Sequence, residues 1–109
     1  MNNSHELIFT IINAGFSQTV MDAARAAGAT GGTLFKARGT ANSDAEEFYG
    51  IRVNPDKEVV MILAEKSKSA AILTNIYQAA GLNTAGQGIA FTLPVDRTVG
   101  LTPRKPEEK

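Results

Sequence analysis

The chain has no cysteine, which rules out a disulfide framework and thiolate metal sites and suits a reducing compartment. It has a single histidine, His5, so a metal site built on it would need carboxylates for every other ligand. It also lacks charge of one sign. Eleven basic and eleven acidic residues give a formal net charge of zero, without the broad positive field of a nucleic-acid binder, and no nucleic-acid partner is expected. No long hydrophobic run is present: the N-terminal MNNSHELIFTIINAGF has no basic leader region, and its apolar run of about eight residues is too short to span a bilayer. A soluble, cytoplasmic protein is expected. The common catalytic signatures are missing as well, with no G-x-S-x-G elbow and no G-x-x-x-x-G-K-[ST] phosphate loop. The acidic pairs Glu46-Glu47 and Glu107-Glu108 read as solvated charge in a loop and a tail, and the chain reads as a non-enzyme.

What is there is one domain, residues 1–109, with 43% apolar residues, a core over about 6–101 and a charged tail, 102–109, expected to fray. LIFTII, Leu7 to Ile12, predicts a first strand. Ser17 is placed to cap a helix whose apolar stripe is Val20, Met21, Ala24 and Ala27, with Gly28 as its left-handed terminator. Thr33 to Arg38 predicts a second strand with Leu34 and Phe35 buried. Residues 39–55 show no sustained periodicity, and a loop of that length in a small domain is commonly functional. Val59 to Ala64, VVMILA, predicts a central third strand, and Lys66 to Ala80 a second helix with Ile72, Leu73, Ile76, Tyr77 and Ala80 on one stripe and Gly81 ending it. IAFTLPV, Ile89 to Val95, predicts a one-sided last strand, with Pro94 marking its end or a sheet edge.

The order βαββαβ, with AAGATGG before strand two echoed by AAGLNTAG before strand four, predicts an α+β, ferredoxin-like fold: a four-stranded antiparallel sheet with two helices on one face. The other sheet face then needs a cover, and self-association is the physical expectation. The turn TAGQG before the last strand has two readings. Gly86 and Gly88 can form a nest of backbone N–H groups that receives an anion, or Gly81, Gly86 and Gly88 can be a helix cap plus a tight entry into the strand.

The topology, the long loop after strand two and the ending GLNTAGQGIAFTLPVDRTVGL together resemble the PII family of trimeric signal-transduction proteins, over nearly the whole chain from about Glu6 to Leu101. The resemblance implies a homotrimer whose sheets line a central barrel. It implies an adenine nucleotide (ADP, AMP or ATP) in the clefts between subunits, sometimes joined by 2-oxoglutarate. It also implies a protein target, such as a nitrogen-assimilation enzyme or a membrane transporter, controlled through the loop at 39–55. By position, Thr33 matches a threonine beside the adenosine, Gly39 and Thr40 match the loop base near the nucleotide, Ile62 matches an apolar position beside the base, and Gly86, Gln87 and Gly88 match the phosphate turn. Glu46, Glu47, Phe48 and Tyr49 fall in the partner-binding loop, where Tyr49 lies near a tyrosine that some members modify and Phe48 and Tyr49 could anchor a partner.

The departures are specific. Thr84 and Ile89 stand where the family turn carries lysines, and Gly100 and Thr102 where arginines follow the last strand. Each charge-assisted phosphate contact contributes on the order of 1.5–3 kcal/mol, so triphosphate binding is weakened unless Arg38, Arg97, Arg104 or Lys105 substitutes. Two functions are therefore carried forward: a sensor of a small ligand, or a trimeric interaction module that works without one.

Overall fold

The computed structural model describes residues 4–40 and 55–101. Four strands form one antiparallel sheet in the order β2-β3-β1-β4: β1 (His5–Asn13), β2 (Thr33–Arg38), β3 (Asp56–Glu65) and β4 (Gly88–Pro94). Helix α1 (Ser17–Ala26) joins β1 to β2, and α2 (Lys66–Ala79) joins β3 to β4, which is the expected βαββαβ order. The register sets the two faces. Ile8 pairs with Ile62 and Thr10 with Val60 under the helices, whereas Phe9 pairs with Met61 and Phe91 on the open side. Ile8, Ile12, Val60, Ile62 and Ala64 meet Val20, Met21 and Ala24 of α1 and Ile72 and Ile76 of α2 in a single core. Pro94 lies on β4, an edge strand, where its missing N–H leaves no ladder bond unmade inside the sheet.

Both helices end in paired backbone bonds across a glycine of positive φ. Gly28 N–H donates to Arg25 O and Ala29 N–H to Ala24 O, with Gly28 at φ +114°. At the end of α2, Gly81 sits at φ +67° and Leu82 N–H reaches back to Tyr77 O. The expected terminators therefore hold. The expected cap at the other end of α1 does not, because Phe16 occupies the N-cap position and no side chain of the helix itself caps it. The carboxylate of Glu58, from β3, takes that role by accepting from the N–H groups of Gly15 (3.0 Å) and Ser17 (3.3 Å). The Gly15 N–H is the main reason that the Glu58 carboxyl is held below its ordinary pKa.

A depressed carboxylate pKa adds stability that is fully present above the unfolded-state value and is lost as pH falls through the folded-state value. Glu58→Gln is expected to lose no more than about 1 kcal/mol at neutral pH, a modest figure because solvent screens a part-exposed carboxylate. The gap between wild type and variant should close in acid, which urea unfolding across the acid range will show.

Three expectations about burial fail for physical reasons. Leu34 and Phe35 are 46% and 44% exposed, not buried. They lie on β2, at a sheet edge that neither helix packs against substantially, and Phe35 belongs to the uncovered face. Tyr77 is exposed as well, so the buried stripe of α2 is Ser69, Ile72 and Ile76, with Ala80 just beyond the helix.

Among the described residues, the core holds one side-chain polar atom without a partner. Thr10 is fully buried on the helix side of β1, and its Oγ1 makes no hydrogen bond. A buried unpaired hydroxyl costs on the order of 1–3 kcal/mol. Thr10→Val, which replaces that hydroxyl with a methyl group of similar shape, is expected to raise stability by about 1 kcal/mol, read as a higher urea midpoint at unchanged slope.

Candidate functional site

The glycine turn is built from the end of α2 downward. After Gly81, Thr84 N–H donates to Gly81 O (2.9 Å) and Gln87 N–H to Thr84 O (3.2 Å), which folds residues 81–87 back toward β1. Gly86, at φ +80°, takes the left-handed angle the turn requires. Gly88 is needed for a different reason. A Cβ there would lie 2.5 Å from Ile11 O and 3.0 Å from Ile12 Cα, because the β1 backbone passes directly beneath it.

The side chain of Gln87 faces inward: its Nε2 donates to Ala80 O (3.0 Å) and its Oε1 accepts from Asn13 Nδ2 (3.2 Å). The main-chain N–H groups of Ala85 and Gly86 have no hydrogen-bond partner among the described residues. Consecutive free donors in an exposed glycine turn are the chemistry that receives an anion. The two readings of TAGQG thus divide by residue: Gly88 and Gln87 build the corner, and Ala85 and Gly86 leave donors free.

Thr33 sits elsewhere. It opens β2 opposite Met61, beside a cavity of about 360 Å³ lined also by Leu7, Gly31, Gly32 and Leu63. A second cavity of about 500 Å³ adjoins it, shares Thr30, Leu63 and Leu101, and reaches His5 and Lys68. Ile62 does not line either cavity. It is 0% exposed and packed in the core under the helices, whereas its neighbours on the opposite face, Met61 and Leu63, line the cavity of about 360 Å³. Sequence reading also missed Thr30 and Leu101, whose only local signal is their position beside glycine turns.

Arg38, Gly39 and Thr40 form the outgoing base of the loop. Arg38 pairs in register with Asp56, and Gly39 N–H donates to Pro55 O at 2.7 Å. They are level with the glycine turn but on the other edge of the sheet, since β2 and β4 are its two outer strands. Three strand spacings separate those edges, roughly 14 Å. One chain therefore does not bring Arg38, Gly39 and Thr40 together with Gly86, Gln87 and Gly88. Arg97 is remote from the turn in its own chain, beyond the far end of β4, where it meets Asp96 at 3.7 Å with both side chains exposed. Glu46, Glu47, Phe48, Tyr49, Thr102, Arg104 and Lys105 lie outside the described residues.

Among the described residues no group of three or more His, Cys, Asp or Glu could hold a metal ion, and no helix is long and apolar enough to cross a membrane. The architecture is that of a ferredoxin-like α+β sandwich in which no element among the described residues covers the apolar second face of the sheet. Residues 5–105 match the family model described as nitrogen regulatory protein P-II, and the chain belongs to that family of regulatory signalling proteins. The fold is shared with Arabidopsis thaliana PII in its citrate-bound crystal structure, at 21% identity and a TM-score of 0.63, over 86% of this chain and 79% of that one. It is shared too with a putative PII-like signaling protein from Thermus thermophilus, at 15% identity and a TM-score of 0.62, over 84% and 85% of the two chains. No curated protein sequence matches the chain at a significant level.

Proposed function

We propose that the protein is a homotrimeric regulator without catalytic activity of its own. It binds an adenine nucleotide in clefts between subunits and controls a protein target through the loop at 39–55. The observation that carries this reading is the division of the candidate site between opposite edges of one sheet. The glycine turn borders β4, Thr33 and the loop base belong to β2, and a neighbouring copy that sets its β2 edge beside β4 would close them into one cleft.

The uncovered sheet face supports the same assembly. Phe9 and Phe91 stack there with ring centroids 5.3 Å apart, and Phe35, Ile89 and Leu93 stand exposed beside them. Apolar surface of this kind is covered in stable soluble proteins, and a closed ring of copies covers it symmetrically.

Backbone donors at Ala85 and Gly86, without the lysines expected at Thr84 and Ile89, favour a ligand of lower charge. The expected order of affinity is ADP or AMP above ATP. Calorimetric titration with the three nucleotides tests this, and heat from none of them would remove the nucleotide. A second reading, a trimeric interaction module with no ligand, draws on the engagement of Gln87 within its own chain and on neutral Thr84, Ile89 and Gly100. A trimer that binds its target, gives no heat with any nucleotide and loses the target on deletion of 43–52 would select it. A transporter or a nitrogen-assimilation enzyme as target remains part of the proposal, to be tested by affinity capture with and without that segment.

A further inference from the structure

One side chain at the end of β1 hydrogen-bonds to both the β3 strand at the loop base and the glycine turn. Asn13 Oδ1 accepts from Lys57 Nζ at 2.6 Å. Its Nδ2 donates to Gly86 O at 3.0 Å and to Gln87 Oε1 at 3.2 Å. The Asn13 main-chain N–H donates to Gln87 O, and its carbonyl accepts from Phe16 N–H, so every polar group of the residue is engaged. The amide orientation follows from its partners, because the flipped amide would turn an NH2 toward the Lys57 ammonium.

On one side this junction reaches the base of the loop. Lys57 lies on β3 against Gly39, where an added Cβ would come within 3.0 Å of Lys57 Cε, and Gly39 itself is clamped to Pro55 O. Ala14, next to Asn13, donates its N–H to Asp56 O. On the other side it reaches the glycine turn and, through Gln87 Nε2, the carbonyl of Ala80, the residue that caps the end of α2. Among the described residues, Lys57 and Gln87 share no hydrogen bond with each other. Asn13 is the group that both of them touch.

We propose that Asn13 is a positioning residue that couples the loop base to the glycine turn. A displacement of Gly86 or Gln87 withdraws the partners of Nδ2, turns the amide and frees Lys57. Movement of Lys57 acts in the reverse direction with the same energy, as linkage requires. The coupling belongs to the single chain. Its use in signalling rests on the reading of the turn as a ligand site, whereas the coupling is tested without any ligand, so the two can fail separately.

The test is a double-mutant cycle on the full chain, Lys57→Met against Gln87→Met, carried out in the Asn13 and the Asn13→Ala backgrounds and read as the unfolding equilibrium constant in urea. Substitutions that share no contact are normally additive. With Asn13 present the pair should deviate from additivity by about threefold or more, and with Asn13→Ala the deviation should vanish. Additive behaviour in the native background overturns the proposal, and so does a deviation that survives Asn13→Ala.

Amide hydrogen exchange gives a reading that does not depend on the folding of Asn13→Ala. Lys57→Met alone should speed exchange at the N–H of Asn13, which is bonded to Gln87 O, by about threefold or more. Unchanged exchange there would overturn the proposal equally, because a lysine with a purely local role does not reach that bond.

Discussion

Gly88→Ala is expected to remove a large part of the stability of the domain, about 3 kcal/mol or more. The added methyl carbon would sit 2.5 Å from Ile11 O and 3.0 Å from Ile12 Cα, and neither is the end of a flexible side chain that can step aside. Overpacking in a well-packed interior costs on the order of 1–3 kcal/mol, and backbone on both sides of the clash places this case at or above the top of that range. The relief available is to part β4 from β1, which would expose the helix-side core where Ile12 faces Gly88. Gly15→Ala provides the contrast, since nothing lies within 4 Å of an added Cβ there and its cost is confined to a positive φ of 99°. Urea unfolding of the two variants should separate them widely. A Gly88→Ala midpoint near wild type would show that the turn is not built as described.

The second large effect concerns two adjacent residues on β3. Ile62→Ala should lose about 3 kcal/mol, the usual range for truncating a fully buried isoleucine in a core that cannot collapse around the cavity. Leu63→Ala, on the opposite face and partly exposed, should lose about 1 kcal/mol. If the proposed site is right, Leu63→Ala also weakens nucleotide binding, while folded Ile62→Ala binds as wild type does. Unfolding and titration of the pair check both halves, and the reverse ranking would put Ile62 back at the cavity.

That pair shows where reading the sequence stops short. In VVMILA every residue is apolar, so alternation carries no sign of which face each one joins, and a one-residue offset passes unnoticed until the pairing of Ile8 with Ile62 fixes it. The elements themselves were legible because the chain signals them locally: strand runs, helical stripes, and Gly28 and Gly81 at the helix ends. The cap of α1 was not legible, because Glu58 reaches Ser17 from 41 positions along the chain. Asn13 reads locally as a strand breaker, and its bond to Gly86 spans 73 positions. Leu34 and Phe35 look like core residues by composition. The exposure of Leu34 depends on how far two helices extend across a four-stranded sheet, and that of Phe35 on its belonging to the face without helices; no local pattern records either.

The candidate site residues are individually placed but not gathered within one chain. Thr33 and the glycine turn are at the surface, where a ligand could meet them, yet they are divided between the two edges of the sheet. Such a division is read from topology and has no signature in either motif. It ties the ligand question to the assembly question, because the proposed cleft needs a second chain to exist.

Native mass spectrometry of the untreated protein, sprayed from a volatile buffer at neutral pH, reads both at once. The account predicts a species of three 11.5 kDa chains that carries retained adenine nucleotide or takes up ADP when it is added. A single 11.5 kDa chain at micromolar concentration, with or without ADP, would contradict it.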